Sequence, residues 1–211
     1  MRLAPEGRII VLPLFLLTGL ILYLTVSMGT SFTLVGIAFG LLVFCLNFFR
    51  DPVRNVPAGK NLILAPADGK IVKLIEVDDP EIGESQLVSI FLNVFNVHAN
   101  RMPIEGTFTD VKYHKGKFMA AFDHKASDEN ERTEITIISK VGTLKVKQIA
   151  GLIARRILCY AKNGESMEMG GRLGFIRFGS RTDLILPKHV NLSVKLGQKV
   201  VGNKTIMGTF E

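Results

Sequence analysis

Apolar residues are concentrated at the start of the chain, where no charged residue occurs between Arg8 and Arg50. The segment Ile9–Met28 supplies twenty mostly apolar residues. That length is enough for a helix to cross a bilayer core of about 30 Å at about 1.5 Å per residue. A turn signal, Gly29-Thr30-Ser31, follows, and Phe32–Phe49 supplies a second, slightly shorter apolar segment. This pattern predicts a hydrophobic helical hairpin in a membrane.

Positive charges at both ends of the apolar region indicate its orientation. Arg2 and Arg8 precede the first segment, and Arg50 and Arg54 follow the second. Because cytoplasmic flanks of membrane helices are enriched in Lys and Arg, we expect both ends of the hairpin in the cytoplasm. A cleaved signal peptide would be shorter and would not be followed by a second apolar segment. A re-entrant hairpin fits the pattern as a spanning one does, so the sequence leaves both open.

Beyond the hairpin, short apolar runs alternate with turn residues. A charged, proline-containing connector, Arg50–Gly59, leads us to separate an anchoring hairpin, 1–50, from a catalytic domain, 51–211. Strands are predicted at Leu62–Leu64, Gly69–Ile75, Leu87–Leu92, Thr107–Val111, Glu134–Ile138, Leu144–Ile149 and Val190–Val194. This spacing predicts a mainly β (α+β) domain of antiparallel strands, preceded by the N-terminal helical hairpin.

Other segments of the second domain are less regular. Leu152–Tyr160 fits a helix or a strand, and Val94–Ala99 fits an extended segment or a helical turn. Ala161–Gly174 has the glycine-rich, charged composition of a loop. The alternating run Phe175–Phe178 predicts a short strand that ends at Gly179-Ser180.

The charge of the chain narrows the choice of partner. A formal net charge of +7 indicates an anionic partner, either nucleic acid or an acidic membrane surface. Because the apolar hairpin favours the membrane, we expect no nucleic-acid partner. Cys45 and Cys159 lie far apart in the sequence and make neither a disulfide framework nor a metal motif.

The dipeptide Gly179-Ser180 carries the candidate chemistry. Gly179 leaves its carbonyl carbon unshielded, and the Ser180 hydroxyl lies one residue away from that carbon. Attack by the hydroxyl would convert the amide to an ester, elimination would leave dehydroalanine, and hydrolysis would then leave an N-terminal pyruvoyl group. A Gly-Ser pair is also an ordinary turn signal, so the dipeptide alone leaves both interpretations open.

Four motifs, in order along the chain, resemble those of one enzyme family. They are Ala65-Pro66-Ala67-Asp68-Gly69, the segment Phe91–Pro103 (FLNVFNVHANRMP), Asn130-Glu131-Arg132, and Phe178–Asp183 followed by Pro187. Together they resemble the short, archaeal-type phosphatidylserine decarboxylases across most of the chain beyond the hairpin. Any one motif is weak, whereas the four in order are specific.

The resemblance implies a proenzyme that cleaves itself between residues 179 and 180. The products would be a β-chain, 1–179, and an α-chain, 180–211, which remain associated, and Ser180 would become the pyruvoyl cofactor, with no metal. This cofactor would form a Schiff base with phosphatidylserine and take up the electron pair released with carbon dioxide, yielding phosphatidylethanolamine. We expect the enzyme at the cell membrane with its catalytic domain on the cytoplasmic side, and a homo-oligomer is compatible with the sequence.

The family motifs also imply roles for other site residues. His98 corresponds to the histidine that supplies a proton during decarboxylation, a role that imidazole fills near neutral pH. Asp68 corresponds to the aspartate of an Asp-His-Ser set that drives self-cleavage in larger bacterial members. In place of the histidine of that set, this chain and the short members have arginine, here Arg101, which would bind the substrate's carboxylate or phosphate. The base for self-cleavage stays open among His98, Asp68 and a nearby His114.

Residues flanking these positions have plainer expected roles. Asn130-Glu131-Arg132 is expected to make structural hydrogen bonds or ion pairs. Arg181 and Asp183 are expected to orient the cleavage site or to form a surface ion pair, which contributes about 0–1 kcal/mol.

Two other functions remain open from the residues alone. A membrane-anchored module without enzymatic activity, whose basic face binds lipid headgroups, fits the hairpin and the charge. A membrane-anchored zinc peptidase fits the Ala-Asp-Gly turn before β-strands. Zinc catalysis needs about three clustered protein ligands, however, and the histidines are scattered at His98, His114, His124 and His189.

Overall fold

In the part of the chain that the structure describes, two helices are followed by antiparallel strands, which confirms the predicted fold class. The computed structural model describes residues 2–119, 129–151, 156–177 and 180–211. The chain divides into two compact units, one that ends at Val53 and one that covers Arg54–Glu211. The first unit carries the helices and the second carries the strands named below.

The first unit is a helical hairpin formed by α1 (Pro5–Met28) and α2 (Thr33–Phe48). Gly29, in the left-handed conformation at φ 62°, ends α1, because glycine adopts this conformation without a steric penalty. At the other end of the hairpin, Ala4 N–H donates to Phe49 O at 2.7 Å. The start of α1 and the end of α2 therefore lie side by side, as an antiparallel hairpin requires.

The two helices differ in whether they are long enough to cross a membrane. With 24 residues, α1 extends over about 36 Å, and its length and composition suffice to cross a membrane. With 16 residues, α2 extends over about 24 Å, which is less than the bilayer core of about 30 Å. The first predicted helix is thus long enough for a membrane span, while the second helix is shorter than the sequence pattern suggests.

The second unit is built from antiparallel strands arranged in three sheets. Its strands are β1 (Leu62–Leu64), β2 (Gly69–Asp79), β3 (Gly83–Leu92), β4 (Ala99–Arg101), β5 (Gly106–His114), β6 (Arg132–Ser139), β7 (Gly142–Ile149), β8 (Ile157–Cys159), β9 (Ser166–Met167), β10 (Arg172–Ile176), β11 (Ser180–Pro187), β12 (Asn191–Leu192), β13 (Lys199–Val200) and β14 (Ile206–Thr209). An eight-stranded sheet has the order β13-β2-β3-β11-β7-β6-β5-β9. Two three-stranded sheets have the orders β1-β14-β12 and β4-β10-β8.

Most strands lie where the hydrophobic alternation predicts them. β1 has the predicted bounds, and β2, β3, β5, β6 and β7 each contain the predicted run and extend it. The extensions arise because the β2–β3 and β6–β7 hairpins continue their pairing up to the turns, through the pairs Asp79–Gly83 and Ser139–Gly142. Backbone hydrogen bonds join polar residues there, and a hydrophobic pattern does not report such bonds.

Predictions near the C-terminus need correction. Ala161–Gly174 is not a loop throughout, because it contains β9 and the start of β10. The described part of Leu152–Tyr160 contains a strand, β8, and the predicted strand Phe175–Phe178 corresponds to the end of β10. Residues 152–155 and 178–179 lie outside the described residues.

The central strand of the large sheet, β11, is one that the hydrophobic pattern does not predict. Every residue of β11 is buried, and the strand pairs with β3 on one side and β7 on the other. Leu184 and Leu186 face the hydrophobic core, together with Ile71, Val88, Ile90, Leu92, Ile135, Ile137, Leu144 and Val146. Because side chains alternate along a strand, Ser180 and Thr182 share this core face, whereas Arg181 and Asp183 lie on the other face.

Candidate active site

Ser180 is the first residue of β11 and lies opposite Leu92, the last residue of β3. Its side chain is fully buried, and Oγ has no hydrogen-bond partner in the described part of the chain. Since buried hydroxyl groups nearly always have such a partner, this hydroxyl is left available for another contact. Gly179, the other half of the predicted cleavage site, lies outside the described residues.

The first two motifs meet at the end of the large sheet that carries the cleavage site. Asp68 precedes β2, and the first residue of β2, Gly69, packs so tightly on β3 that an added Cβ would collide with Phe91 O. Arg101 N–H donates to Pro66 O at 2.8 Å, which joins the first motif to the second. The fold thus brings together segments that are separated in the sequence.

His98 lies directly before β4 and is fully buried. Its segment, Val94–Ala99, consists of a turn followed by extended chain. Ile176 N–H donates to His98 O at 3.2 Å, so the backbone of this histidine lies beside the end of β10, shortly before Ser180 in the sequence. The ring centroids of His98 and Phe175 are 6.3 Å apart. The structure therefore places His98 beside the strand that precedes the predicted cleavage site.

The other described histidines lie away from Ser180. His114 ends β5, and β6 and β7 separate β5 from β11 in the sheet. At a spacing of about 4.8 Å between neighbouring strands, this separation is about 14 Å. His189 follows the opposite end of β11 and is exposed, and His124 lies outside the described residues. The expectation that His114 lies near the cleavage site is therefore wrong.

Asp68 is bound by an arginine of the connector. Arg54 donates through Nη1 to Oδ1 and through Nη2 to Oδ2, the second bond at 2.8 Å. Gly202 N–H donates to Oδ1 at 2.9 Å, and Arg54 Nη1 also donates to Gly202 O at 2.8 Å. These bonds fix the orientation of the carboxylate. The sequence analysis uses Arg54 only for membrane orientation, because nothing in its local sequence indicates its partner.

A buried polar network on the core face joins the second motif to the fourth. Asn100 Nδ2 donates to Thr182 Oγ1 at 3.2 Å, and Gln148 Nε2 donates to Asn100 Oδ1 at 2.7 Å. All three side chains are fully buried. Gly174 leaves room for the network, because an added Cβ there would lie 2.5 Å from Gln148 Nε2. The sequence analysis misses Gln148, although a polar residue at a core-facing position of an alternating strand is a usable signal.

Arg181 and Asp183 form an ion pair inside the protein and not at its surface. Arg181 is 1% exposed and Asp183 is 0% exposed. Arg181 Nε donates to Asp183 Oδ1 at 2.7 Å, and Nη2 donates to Ser89 Oγ at 2.8 Å. The expected surface ion pair is therefore wrong, because both residues belong to a central strand whose second face is covered as well. Breaking a buried pair by removing one partner costs about 3–5 kcal/mol, because it leaves an uncompensated charge, and the bond to Ser89 joins Arg181 to β3.

Asn130 has the structural role expected of the third motif. Its side chain is fully buried, and Nδ2 donates to Met119 O and to Ala150 O, both at 2.9 Å. Ala150 N–H in turn donates to Glu131 O at 2.9 Å. The motif thus ties the end of β7, which pairs with β11, to the segment before β6.

Two further observations concern other kinds of catalysis, by a nucleophilic cysteine or by a bound metal ion. Burial raises the pKa of the Cys159 thiol above its ordinary value, despite a hydrogen bond to the backbone at Ala161 that acts in the opposite direction. The thiol therefore stays protonated at neutral pH and is a poor nucleophile. Within the described ranges, no group of three or more His, Cys, Asp or Glu side chains is placed to hold a metal ion.

The chain is also similar to known proteins over most of its length. Residues 41–208 match the family described as phosphatidylserine decarboxylase. The chain is 43% identical over 211 residues to the phosphatidylserine decarboxylase proenzyme of Chlorobaculum tepidum, covering 99% of this chain and 98% of that protein. It is 43% identical over 210 residues to the proenzyme of Ehrlichia ruminantium (strain Gardel), with 98% and 90% covered. It is 49% identical over 173 residues to the proenzyme of Burkholderia multivorans, with 81% of each covered.

Proposed function

Because the chain belongs to the phosphatidylserine decarboxylase family, it is an enzyme that decarboxylates phosphatidylserine, and we propose that Ser180 supplies its cofactor. The proposed cofactor is a pyruvoyl group made by self-cleavage between Gly179 and Ser180. Once formed, this group supplies a ketone that condenses with the substrate's amine and takes up the electron pair released with carbon dioxide. The product is then phosphatidylethanolamine.

The environment of Ser180 supports the self-cleavage step. Its buried hydroxyl, which has no hydrogen-bond partner among the described residues, is available to attack the carbonyl of Gly179. The attack moves the acyl bond from the Ser180 nitrogen to Oγ. A base then removes the α-proton of Ser180, the Cβ–Oγ bond breaks, and Gly179 leaves as a carboxylate. Water adds to the remaining dehydroalanine and ammonia is released.

Burial of Ser180 also supports the outcome of this sequence. Direct hydrolysis of the ester would restore an ordinary serine at the new N-terminus and would waste the rearrangement. A fully buried position limits access of water to the ester. Elimination, which needs only a base, is thereby favoured.

We assign proton transfer to His98. Of the described histidines, it is the one whose backbone adjoins the chain before Ser180, through the bond from Ile176. Decarboxylation leaves an electron pair on the substrate's α-carbon, and a neighbouring imidazolium can protonate that carbon near neutral pH. His98 is also our candidate for the base in self-cleavage, because His114 lies about three strand spacings away.

Asp68 and Arg101 complete the proposed site. We assign Asp68 to self-cleavage, where its carboxylate, held by Arg54 and Gly202, fixes the turn that abuts the end of β3. We assign Arg101 to the substrate, because a guanidinium forms paired, charge-assisted hydrogen bonds with carboxylate and phosphate groups. Both assignments rest on the family motifs together with these contacts.

We also propose a subfamily and a location. Arg101 stands where the larger bacterial members carry a second histidine, which supports a short, archaeal-type member. The length of α1 and the arginines at both ends of the hairpin support a cell-membrane anchor with the catalytic domain on the cytoplasmic side. The α-chain would begin with β11, whose pairing with β3 and β7 supports association of the two chains after cleavage. A homo-oligomer is compatible with the structure.

The observation that carries the proposal is the buried Ser180 hydroxyl, and intact-mass analysis tests it. Purified protein should separate into 1–179 and 180–211, and the small chain should have an N-terminus blocked to amine reagents. Ser180→Ala should remain one chain and release no carbon dioxide from phosphatidylserine. Ser193→Ala, at an exposed serine elsewhere in the same domain, should be cut like the wild type. An active wild-type protein that runs as one chain with an ordinary Ser180 would contradict the proposal.

A further inference from the structure

Two arginines are cross-strand neighbours in the small sheet β4-β10-β8, which includes part of the second motif. Arg101 of β4 and Arg172 of β10 are direct cross-strand partners. The pairing is secured next to them, because Met102 N–H donates to Gly171 O and Gly170 N–H donates to Met102 O, both at 2.8 Å. Directly opposite residues of antiparallel strands share a face, with Cβ atoms about 5 Å apart. The side chains of Arg101 and Arg172 therefore start side by side on the same face of the sheet.

This arrangement is electrostatically suited to an anion. Like charges placed directly opposite each other in a sheet are destabilising. An anion bound between Arg101 and Arg172 converts that repulsion into attraction for both groups. Guanidinium forks match phosphate oxygens in pairs.

The ring of Phe175 lies near both Arg172 and the imidazole of His98. The guanidinium carbon of Arg172 lies 5.8 Å from the ring centroid of Phe175 and 6.0 Å from that of Tyr160. These cation–π contacts orient the arginine. The Phe175 ring in turn lies 6.3 Å from the His98 ring. Arg172 and His98 therefore have the Phe175 ring as a common neighbour.

Solvent exposure increases from His98 to the two arginines, as the binding of a lipid headgroup requires. His98 is fully buried, whereas Arg101, Arg172 and Tyr160 are partly or largely exposed. In phosphatidylserine the phosphodiester lies between the glycerol, which must stay near the membrane, and the serine moiety, which must reach the reacting groups. The more exposed arginines thus correspond to the phosphodiester, and the buried histidine corresponds to the serine α-carbon.

Catalysis gives a second reason to match the arginines with phosphate. The substrate's carboxylate loses its charge as carbon dioxide departs, so a tight arginine clamp on it would stabilise the ground state more than the transition state. The phosphodiester keeps its charge throughout the reaction. Arginines that bind it contribute to affinity without opposing the chemical step.

We propose that Arg101 and Arg172 together bind the phosphodiester of the substrate headgroup, and that this contact selects a phospholipid over free serine. The inference rests on the proposed function, since it deepens the role given to Arg101 and adds Arg172 to the same site. It identifies the ligand group as a phosphate monoanion in a diester and not as the carboxylate.

The test uses full-length protein in detergent micelles containing phosphatidylserine. Arg172→Ala is compared with Arg172→Lys and with Lys195→Ala, which removes one positive charge at an exposed turn outside the site. Three quantities are measured: self-cleavage by intact mass, kcat and KM for carbon dioxide release, and inhibition by glycerophosphoethanolamine. This inhibitor carries the phosphodiester and the amine but no carboxylate.

We expect Arg172→Ala to be cut normally and to raise KM by about 10- to 100-fold, the range for loss of hydrogen bonds to a charged group. Inhibition by glycerophosphoethanolamine should weaken by a similar factor, with kcat little changed. Arg172→Lys should show a smaller loss, because an ammonium keeps the charge but not the fork. Lys195→Ala should match the wild type.

Unchanged inhibition by glycerophosphoethanolamine in a cut Arg172 variant would overturn the proposal, and a raised KM for phosphatidylserine alongside that unchanged inhibition would assign the arginines to the carboxylate instead. If Arg172→Ala remains uncut, the lysine variant decides by the same criterion. Failure of the proposed function looks different, because the wild type itself would then be uncut or inactive.

A double variant tests whether one anion is shared. If Arg101 and Arg172 bind the same phosphodiester, their losses in affinity should not add, because residues that share a partner are energetically coupled. We expect Arg101→Ala combined with Arg172→Ala to weaken inhibition by less than the product of the two single factors. Strict multiplication of the two factors would show two independent sites and would contradict the proposal.

Discussion

At Ser180 a buried hydroxyl has no hydrogen-bond partner among the residues that the structure describes. On the same strand, Thr182 is bonded to Asn100 and Arg181 to Asp183. A buried polar group without a partner costs about 1–3 kcal/mol, and the surrounding bonds offset that cost by fixing the rest of the strand. Within the described residues, the proposed nucleophile therefore differs from adjacent polar residues in that its hydroxyl makes no hydrogen bond.

Replacement of His98 should separate the two reactions of this site. If His98 serves decarboxylation only, His98→Ala should still yield both chains, and borohydride should fix the substrate covalently to the α-chain. Release of carbon dioxide should fall by about 10²- to 10⁴-fold, the usual contribution of a positioned acid or base. Intact mass and trapped label measure the first two quantities, and carbon dioxide release measures the third.

His114→Ala is the matched control, because His114 lies three strands from β11 and should leave both reactions unchanged. A single uncut chain for His98→Ala would show that His98 also serves self-cleavage. In that case Asp68→Asn should slow the cut, through loss of the charged partner of Arg54. Wild-type cleavage and turnover in His98→Ala would contradict the assignment of either role.

At the residue scale, the sequence predicts those site residues that lie in motifs of fixed spacing. Ser180, His98 and Asp68 are of this kind. Arg54 and Gln148 are not, since their partners lie 14 and 48 residues away along the chain and the pairing depends on the folded sheet. Arg181 shows the same limit, because its charge suggests a surface position and only the central location of β11 reveals that it is buried.

At the scale of elements, hydrophobic alternation finds the strands that have one apolar face and misses β11. That strand begins with Ser-Arg-Thr-Asp, so neither of its faces is apolar over the first half. One face carries the network with Asn100 and the other carries the ion pair with Asp183. When both faces of a central strand carry polar groups, the sequence shows no hydrophobic alternation from which the strand could be predicted. The strand β11 becomes evident only from its backbone pairing with β3 and β7.

A second buried ion pair links separate strands of the large sheet. Lys145 Nζ of β7 lies 2.6 Å from Oδ1 of Asp79 at the end of β2, and the two side chains are 6% and 8% exposed. Burial alone would raise the pKa of Asp79. The hydrogen bond from Lys145 and those from the backbone N–H groups of Glu81 and Ile82 outweigh it, so the pKa lies below its ordinary value.

The sign of this shift predicts acid sensitivity. A carboxyl group with a lowered pKa in the folded state stabilises the fold above its ordinary pKa of 3.8, and this contribution is lost as the pH falls through the folded pKa. Asp79→Asn should lower stability at neutral pH by about 3 kcal/mol, since it leaves Lys145 buried without a full counter-charge. The difference from the parent protein should shrink below pH 4.

Unfolding curves at several pH values, measured in a Ser180→Ala background that keeps one chain, would record both effects. Glu84→Gln on β3 is the control, because its side chain is 79% exposed where it meets Lys188. Its effect should be about 0–1 kcal/mol. An equal and pH-independent loss in both variants would contradict the expectation.

At the scale of the whole molecule, the connector does more than join two units. Arg54 is the first residue of the second unit and reaches Asp68 and Gly202. The segment that follows the hairpin is thus part of the catalytic domain's own hydrogen bonding. The domain boundary predicted at residue 50 also leaves Arg54 in the second domain.

Truncations on either side of Arg54 should therefore differ. A chain that begins at Arg50 should still cleave itself, because every proposed site residue lies beyond that point, and it should act poorly on membrane-bound substrate through loss of local concentration. A chain that begins at Val56 lacks the partner of Asp68 and should be cut slowly. Both rates are measured by intact mass over time.

Arg54→Ala in the full-length protein should reproduce the slow cut of the shorter truncation, which separates the loss of this ion pair from the loss of the hairpin. Equal, rapid cleavage in the Val56 chain and in Arg54→Ala would remove any role for the Arg54–Asp68 pair. A folded Arg50 chain that stays uncut would show that the hairpin contributes to the site.

The central position of β11 has a consequence for reversibility. Before the cut, insertion of this strand between β3 and β7 is an intramolecular folding step, and afterwards it is an encounter between two molecules, at whatever concentration the solution provides. The proposed self-cleavage would therefore make unfolding of the enzyme difficult to reverse. Cut enzyme that is denatured and diluted should recover in proportion to concentration, and far less than an uncut Ser180→Ala chain regains its fold. The persistence of the working enzyme is then set by how slowly β11 leaves the sheet, a kinetic property.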